Sequence, residues 1–454
     1  MAPQPSKQDS QILLERTSWR RIWAISWPVF IATITIPLVG AADTAMMGRL
    51  DDVSFVGAVA LGTLVFNFLY FGVGFLRMCT TGLVAQAHGR EDTKTIENLI
   101  IRGLVVAGIL GITINLAAPL IHLVTDMILT GSTQVKALMH NYISIRLYAV
   151  PAALASMVLV GTLFGRQAMR LVMVQVAFVN MTNLILNLVF VLGLGMEIEG
   201  VAWASVIAQW LGLFATLALL RWQWRDMLAG VASRAFRRNP EWFDLPAFKR
   251  FFVIGGDLVI RTMLLVLSEA VLLNKAAAVD DLSLAAVQLI LVMFGLIAFG
   301  LDAFAHAAEA MVGEAVGRRN PAMLNRTVFR TNIMAGSAAM VIGIIVWFSG
   351  PAFVGIMTTQ DDLARLTLTH WHWAALLAPV AFLAFQMDGI FIGATQSKDM
   401  RNAMIISSAG FLLLVFLLGG YGLNGLLAAF TIYLGMRGLT LLMRMGHVRM
   451  MVQP

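Results

Sequence analysis

Apolar residues in this chain come in long runs, not in stripes. Uncharged runs of about twenty residues fill 22–42, 53–76, 103–125, 147–165, 171–196 and 200–220. Each is long enough to cross a ~30 Å hydrocarbon layer as a helix rising 1.5 Å per residue. A basic stretch follows, from Arg221 to Arg250, and the pattern then resumes with more charge. Further spans are predicted near 251–274, from 282 to 301 and beyond, at 331–349 and at 366–396. Residues 402–436 carry no charge for 35 positions, too long for one span, and Gly419-Gly420-Tyr421-Gly422 divides them. The pattern therefore predicts an all-α integral membrane protein with twelve transmembrane helices.

Composition supports that class. Of 454 residues 59% are hydrophobic and only 13% charged. A soluble domain carries about 25% charge, enough to solvate its surface. The single cysteine, Cys79, excludes an intrachain disulfide and a thiolate metal centre. The first 21 residues are polar, unlike a cleaved signal peptide. A net charge of +7 would suggest nucleic acid in a soluble protein. Here it sorts by side: 24 of the 32 Lys and Arg fall on the face that holds both termini, five on the other and three within spans. The positive-inside rule then predicts cytoplasmic termini; the expected location is the inner membrane, with no nucleic-acid partner.

The chain also repeats itself. A shift of 228 positions lays 58–92 on 286–320 without a gap, matching Ala58 with Ala286, Phe66 with Phe294, Gly72 with Gly300 and Gly89 with Gly317. The same shift puts Pro151 on Pro379, Gly161 on Gly389 and Gly165 on Gly393. Two six-helix lobes follow, related by an axis along the membrane normal, an arrangement common among alternating-access carriers. The expected organisation is a cytoplasmic segment 1–21, a first lobe 22–222, a cytoplasmic loop 223–249, a second lobe 250–445 and a cytoplasmic tail 446–454.

Enzymatic motifs are missing. There is no GxxxxGK[ST] for ATP and no HExxH, and the GxGxxG at 420–425 lies between two spans without the strand–turn–helix setting a dinucleotide needs. Neither an enzyme nor a cofactor site is predicted, and transport work has to draw on an ion gradient.

Polar residues inside apolar spans are expensive and mark candidate sites. Asp43 ends the first uncharged run, shortly after Pro37, in the outer half of the membrane. Asn180, Asn183 and Asn187 share one face of the fifth span by their i, i+3, i+7 spacing. Asn183, Asn187 and, on the sixth span, Ser205 fall at about the depth of Asp43. An acid at that depth can exchange a proton, while amides and a hydroxyl can hydrogen-bond either form of it or ligate a hard cation such as sodium. Helix packing by hydrogen bonds is the bland alternative. In the second lobe the candidates are Asp257 and Arg261, spaced to pair within one helix, with Asp302 and Glu309 on one face of the eighth span, and Glu269 and Asp388.

Read as a whole, the sequence resembles the multidrug and toxic compound extrusion (MATE) transporters, in particular their DNA-damage-inducible F-like (DinF-like) branch. The resemblance rests on PLVGAADTAMMGRL at 37–50, NLILNLVFVLGLGMEIEGVAWASVIAQ at 183–209, GLDAFAHAAEAMVGEAVG at 300–317 and MDGIFIGAT at 387–395. It implies efflux of cationic or amphipathic compounds by a monomer, in exchange for protons or sodium ions. It implies that Asp43 is the proton-linked acid, with Asn183, Asn187 and Ser205 as its polar partners; the first span is expected to bend near Pro37 when Asp43 is neutralised. Asn187 stands where many relatives carry a second aspartate, which favours protons over sodium. Asp388 resembles an acidic position tied to cation coupling in other branches. A lipid-linked precursor flippase of the wider superfamily is the rival, and it usually carries more cavity-facing cations than the three arginines found within spans.

Overall fold

The computed structural model describes residues 13–47, 53–235 and 241–453, without the side chains of 34, 36–47 and 53. Every described element is helical. The first half of the chain contributes α1 (Trp19–Met47), α2 (Val53–Val73), α3 (Phe75–Gly89), α4 (Thr93–Leu116), α5 (Ala118–Ile128), α6 (Thr133–Leu147), α7 (Val150–Gly165), α8 (Met169–Asn187), α9 (Ile198–Gln223) and α10 (Arg225–Ala235). The second contributes α11 (Leu245–Ala277), α12 (Asp281–Gly317), α13 (Pro321–Met357), α14 (Asp361–Thr369), α15 (Trp371–Gly393), α16 (Ser397–Leu418), α17 (Gly422–Leu442) and α18 (Met445–Met450).

Among the described residues nine helical runs are long and apolar enough to span a membrane, or ten if the bent pair α6 and α7 forms one span. That count takes Ser397–Met450 as a single run of 54 residues. The run is broken where the glycine cluster predicts, by a 3-10 turn at Gly419–Tyr421 followed by Gly422 at φ +63°. Large apolar side chains such as Leu116, Ile356 and Phe416 are more than three-quarters exposed. Water would make such a surface a liability; lipid makes it the normal outside of the molecule.

Two compact units are present. One is Ile31–Phe252; the other is Val253–Pro454 with the described part of Met1–Phe30. In the first, α3 packs against α4 and α7, and α8 against α9. In the second, α15 packs against α12, α13 and α17 around a core that includes Phe411, Phe430 and Tyr433.

The 228-residue repeat reappears in the local geometry of each unit. Helices α2, α4, α6 and α8 begin at 53, 93, 133 and 169, and α12, α13, α14 and α16 begin at 281, 321, 361 and 397. The four non-glycine residues with positive φ form two repeat-related pairs, Glu91 with Arg319 and Gln167 with Thr395. All four follow a helix C-terminus, where a left-handed residue turns the chain and the last carbonyls are capped. Gly161 and Gly165 let α7 lie against the backbone of α3, at the Arg77 carbonyl and the Ala85 N–H. Gly389 and Gly393 do the same for α15 at the Ala305 carbonyl and the Gly313 N–H, residues exactly one repeat away.

The units differ in their breaks. Gly74 interrupts α2 and α3, whereas α12 runs continuously through Asp302, its counterpart. The predicted third span, 103–125, is divided after Leu116, and Pro119 sits in the first turn of α5, where its missing N–H is not needed. The fourth span bends by 50° between α6 and α7.

Candidate functional site

The polar face of α8 in the first unit forms a connected chain of side chains. Asn187 Nδ2 donates to Asn183 Oδ1 at 3.3 Å, and Asn183 Nδ2 donates to Ser205 Oγ on α9 at 3.2 Å. Asn187 is fully buried, and Asn183 and Ser205 nearly so. One turn earlier, Asn180 Nδ2 donates to Thr35 Oγ1 on α1 at 2.7 Å. The three asparagines thus tie α8 to both α9 and α1, as a helical face with i, i+3, i+7 spacing allows.

Helix α8 changes character at this site. Directly after Asn187 the backbone passes into a π-helical turn, Leu188–Gly193, and Gly195 then reverses it at φ +65°. Wide turns of this kind shift the following residues around the helix axis and often occur at functional sites. Pro37 and Asp43 lie in the second half of α1, and their side chains are outside the described residues.

The second-unit candidates form ion pairs across helices. Asp257 does not pair with Arg261, although their spacing allows it. Arg401 Nη1 donates to Asp257 Oδ1 at 2.7 Å and Ser397 Oγ to Oδ2 at 2.8 Å. Arg261 instead pairs with Asp388, whose Oδ2 also accepts from Arg437 Nη2 at 3.0 Å. Two guanidinium groups therefore share one carboxylate, joining α11, α15 and α17. The i, i+4 pair fails because each group meets a better-placed partner on a neighbouring helix. Glu309 is buried with His306 Nδ1 at 3.0 Å, Asp302 is half-buried on the same helix, and Glu269 is exposed.

Spacing arguments missed three ionic clusters. Glu314, completely buried, accepts from Arg16, from Arg21 at 3.0 Å and from Arg318 at 3.2 Å. Asp399 holds Arg444 at 3.0 Å and His447 at 2.7 Å. Glu97 holds Arg234 at 2.6 Å. Arg318 lies only one turn from Glu314, but Arg16 and Arg21 lie nearly 300 residues away in sequence. One signal was available: within the gapless repeat Glu314 falls on Gln86, so an acid replaces a neutral residue in an otherwise matching frame. Among the described residues no group of three or more His, Cys, Asp or Glu side chains could hold a metal ion.

The chain resembles known proteins along most of its length. The MatE family model matches residues 28–214 and 258–421. The chain is 31% identical to the DNA damage-inducible protein F of Escherichia coli K12, over 94% of this chain and 91% of that one. It is 22% identical to the chloroplastic Protein DETOXIFICATION 44 of Arabidopsis thaliana, over 92% and 80%. A multidrug resistance MATE family transporter of the MOP superfamily, solved in an outward-facing conformation, superposes with a TM-score of 0.86 at 18% identity, covering all of both chains.

Proposed function

The chain belongs to the MatE family of multidrug efflux transporters, which are secondary carriers and not enzymes, and on that premise we propose that it exports cationic or amphipathic compounds in exchange for protons. One proton moving through 100 mV releases about 2.3 kcal/mol, enough for a roughly fiftyfold gradient of a neutral substrate, whereas in one-for-one exchange with a monovalent cation the charges cancel and the pH difference alone drives export. We place the exchange at Asp43, with Asn183, Asn187 and Ser205 as the groups that hydrogen-bond it in turn. The work would be done by alternating access, with α1 bending near Pro37 as Asp43 gains and loses its proton.

The observation that carries this assignment is the buried Asn187–Asn183–Ser205 chain beside the Asn180–Thr35 hydrogen bond. As odd-numbered spans of one lobe, α1 and α8 run the same way. Eight residues from Thr35 to Asp43 rise about 12 Å, and seven from Asn180 to Asn187 about 10.5 Å. Their shared register brings the backbone of Asp43 level with Asn187. The second-lobe acids support the same choice from the other side. Asp388 already faces two guanidinium groups, so it has no net charge to offer a cation.

We also propose that the carrier sits in the inner membrane with both termini cytoplasmic, on the strength of the 24-to-5 distribution of Lys and Arg. The test of coupling uses purified protein in proteoliposomes, with dye efflux driven by an imposed proton or an imposed sodium gradient. Protons are expected to drive export and sodium alone is not. Asp43→Asn is expected to abolish pH-driven efflux at normal expression; full retention would sink the assignment.

A further inference from the structure

A groove of 1090 Å³ opens within the second unit, between the first three turns of α13, the middle of α15 and the corner of α17 and α18. Asn325 and Arg449 stand at one end, with Phe329, Ile333, Phe382 and Met443 along its walls. Asn325 stands about one turn into α13, which starts just after the Arg318-Arg319 pair, and Ile333 lies eight residues further on. The groove therefore starts at the arginine-rich end of the lobe and runs about 12 Å into the apolar span. Phe329, Ile333 and Met443 are exposed, so it is open along its side, toward the bilayer.

Charge at its mouth has one sign. Arg444 and His447 of the C-terminal turn are committed to Asp399. The Arg449 guanidinium has no acceptor among the described residues, and no Asp or Glu lines the groove. A cationic compound would meet no counter-charge here, and the ammonium of a zwitterionic lipid would meet a like charge. A phosphate carrying a full negative charge would find a guanidinium at headgroup level, above an apolar trough as deep as the upper half of an acyl chain. Met387, Met443 and Met445 give that trough unbranched, deformable walls suited to a disordered chain.

We infer that this groove binds an anionic phospholipid of the leaflet at the arginine-rich end, with its phosphate on Arg449 and one acyl chain along Phe329, Ile333 and Met443. The site is separate from the polar chain on α8 and does not depend on which ion drives transport.

Native mass spectrometry of the full chain in detergent, titrated with equal amounts of phosphatidylglycerol and phosphatidylcholine, provides the test. Wild-type protein is expected to retain phosphatidylglycerol in preference. Arg449→Gln should lower that retention about fivefold, the fold-change equivalent to about 1 kcal/mol for one arginine at a lipid headgroup. A second variant uses the groove's shape. Gly446 lines it, and a Cβ added there meets nothing within 4 Å, so Gly446→Trp has room to start a bulky side chain at the groove. It should remove bound lipid, while Arg365→Gln, at the other end of the lobe, should leave it unchanged. Equal retention of the two lipids by wild type, or unchanged phosphatidylglycerol binding in both groove variants, would overturn the inference. So would stoichiometric displacement of the lipid by a cationic dye, which would assign the groove to substrate. Lipid counts and dye efflux are separate readouts, so failure of the Asp43 assignment would leave this result standing.

Discussion

Asp388, with a guanidinium on each side, is a case where removing the acid and removing a base are not equivalent. Asp388→Asn leaves Arg261 and Arg437 facing each other without the carboxylate they share. Breaking a buried pair in that way costs about 3–5 kcal/mol. Arg437→Met leaves a one-to-one pair of Arg261 with Asp388 and should cost distinctly less. Thermal unfolding in detergent is expected to rank Asp388→Asn as the more damaging of the two. The proton-to-dye ratio of whatever protein remains folded should stay at the wild-type value. A normal melting temperature with lost coupling would instead make Asp388 part of the transport machinery. At the membrane edge, Asp92 caps α4 by accepting from the Thr95 N–H at 3.0 Å and the Thr95 hydroxyl at 2.6 Å. Those hydrogen bonds hold its carboxyl below the usual range. The stability it adds is therefore present above the unfolded carboxylate value, near 3.9, and is lost as pH falls through the lower folded value. Asp92→Asn keeps a cap, as Asn320 does at the equivalent place in the other unit, so it should melt like wild type at pH 7 and lose less stability between pH 5 and 3. Residue spacing made the Asn183–Asn187 and Ser205 grouping legible, because one helix face and a common depth suffice for it. It could not reveal that Asp257 prefers Arg401, 144 positions away, to Arg261 on its own helix. Spacing tells only which groups can meet within one helix, not which neighbour packs closer.

Helices repeat more faithfully than side chains do. Their starts, their left-handed C-terminal residues and their glycine contacts recur at 228 positions, while the ionic clusters do not. Close helix approach and capped termini are what each lobe needs for its own packing, so the duplication has kept them. Charges answer to whatever each lobe faces, and they have diverged. This makes the glycine seams a matched experiment. A methyl group at Gly161 would approach the Arg77 carbonyl to 2.8 Å, and one at Gly389 would run into the Ala305 carbonyl. Backbone cannot step aside as a side-chain tip can. Gly161→Ala and Gly389→Ala should each lower stability by about 1–3 kcal/mol or more, as overpacking does, seen as lower melting temperatures in the same detergent. The opposite sign is expected at Arg319, exposed and held at φ +50°. Arg319→Gly relieves a strain of about 1 kcal/mol and should raise the melting temperature. Helix existence and the break at Gly419–Tyr421 were legible from charge-free length and clustered glycine. The bend between α6 and α7 was not, and neither was the break at Gly74. Apolar residues continue through Gly74, and at the α6–α7 bend hydropathy marks only the start of the apolar run after Arg146, so neither place shows a change in direction.

For the molecule as a whole, the arrangement of charge is the strongest remaining constraint. Lys and Arg cross a membrane at high cost, so a multi-pass chain inserts with most of them on the side they never leave. A 24-to-5 division of Lys and Arg over alternating loops argues for the proposed order of spans, because a span missed in the middle of the chain would exchange all the loops beyond it and weaken the asymmetry. Orientation can therefore be tested directly, and the chain is well suited to it. Its one cysteine, Cys79, is buried, so the native protein should give little reaction with a membrane-impermeant maleimide. New cysteines at exposed positions can be read against that low background. Gln134→Cys, in the first turn of α6, and Thr359→Cys, just before α14, lie on the arginine-poor side. Ala322→Cys, in the first turn of α13, lies on the arginine-rich side. In intact cells, with the outer membrane permeabilised, the first two should label and the third should not. In inverted vesicles the pattern should reverse. Labelling of all three from one side would mean that the alternation of spans between Gln134 and Thr359 has been misread, and with it the placement of Asp43 in the outer half. The two-sided pattern would instead set Asp43 within reach of external protons, the side from which the proposed exchange must draw them.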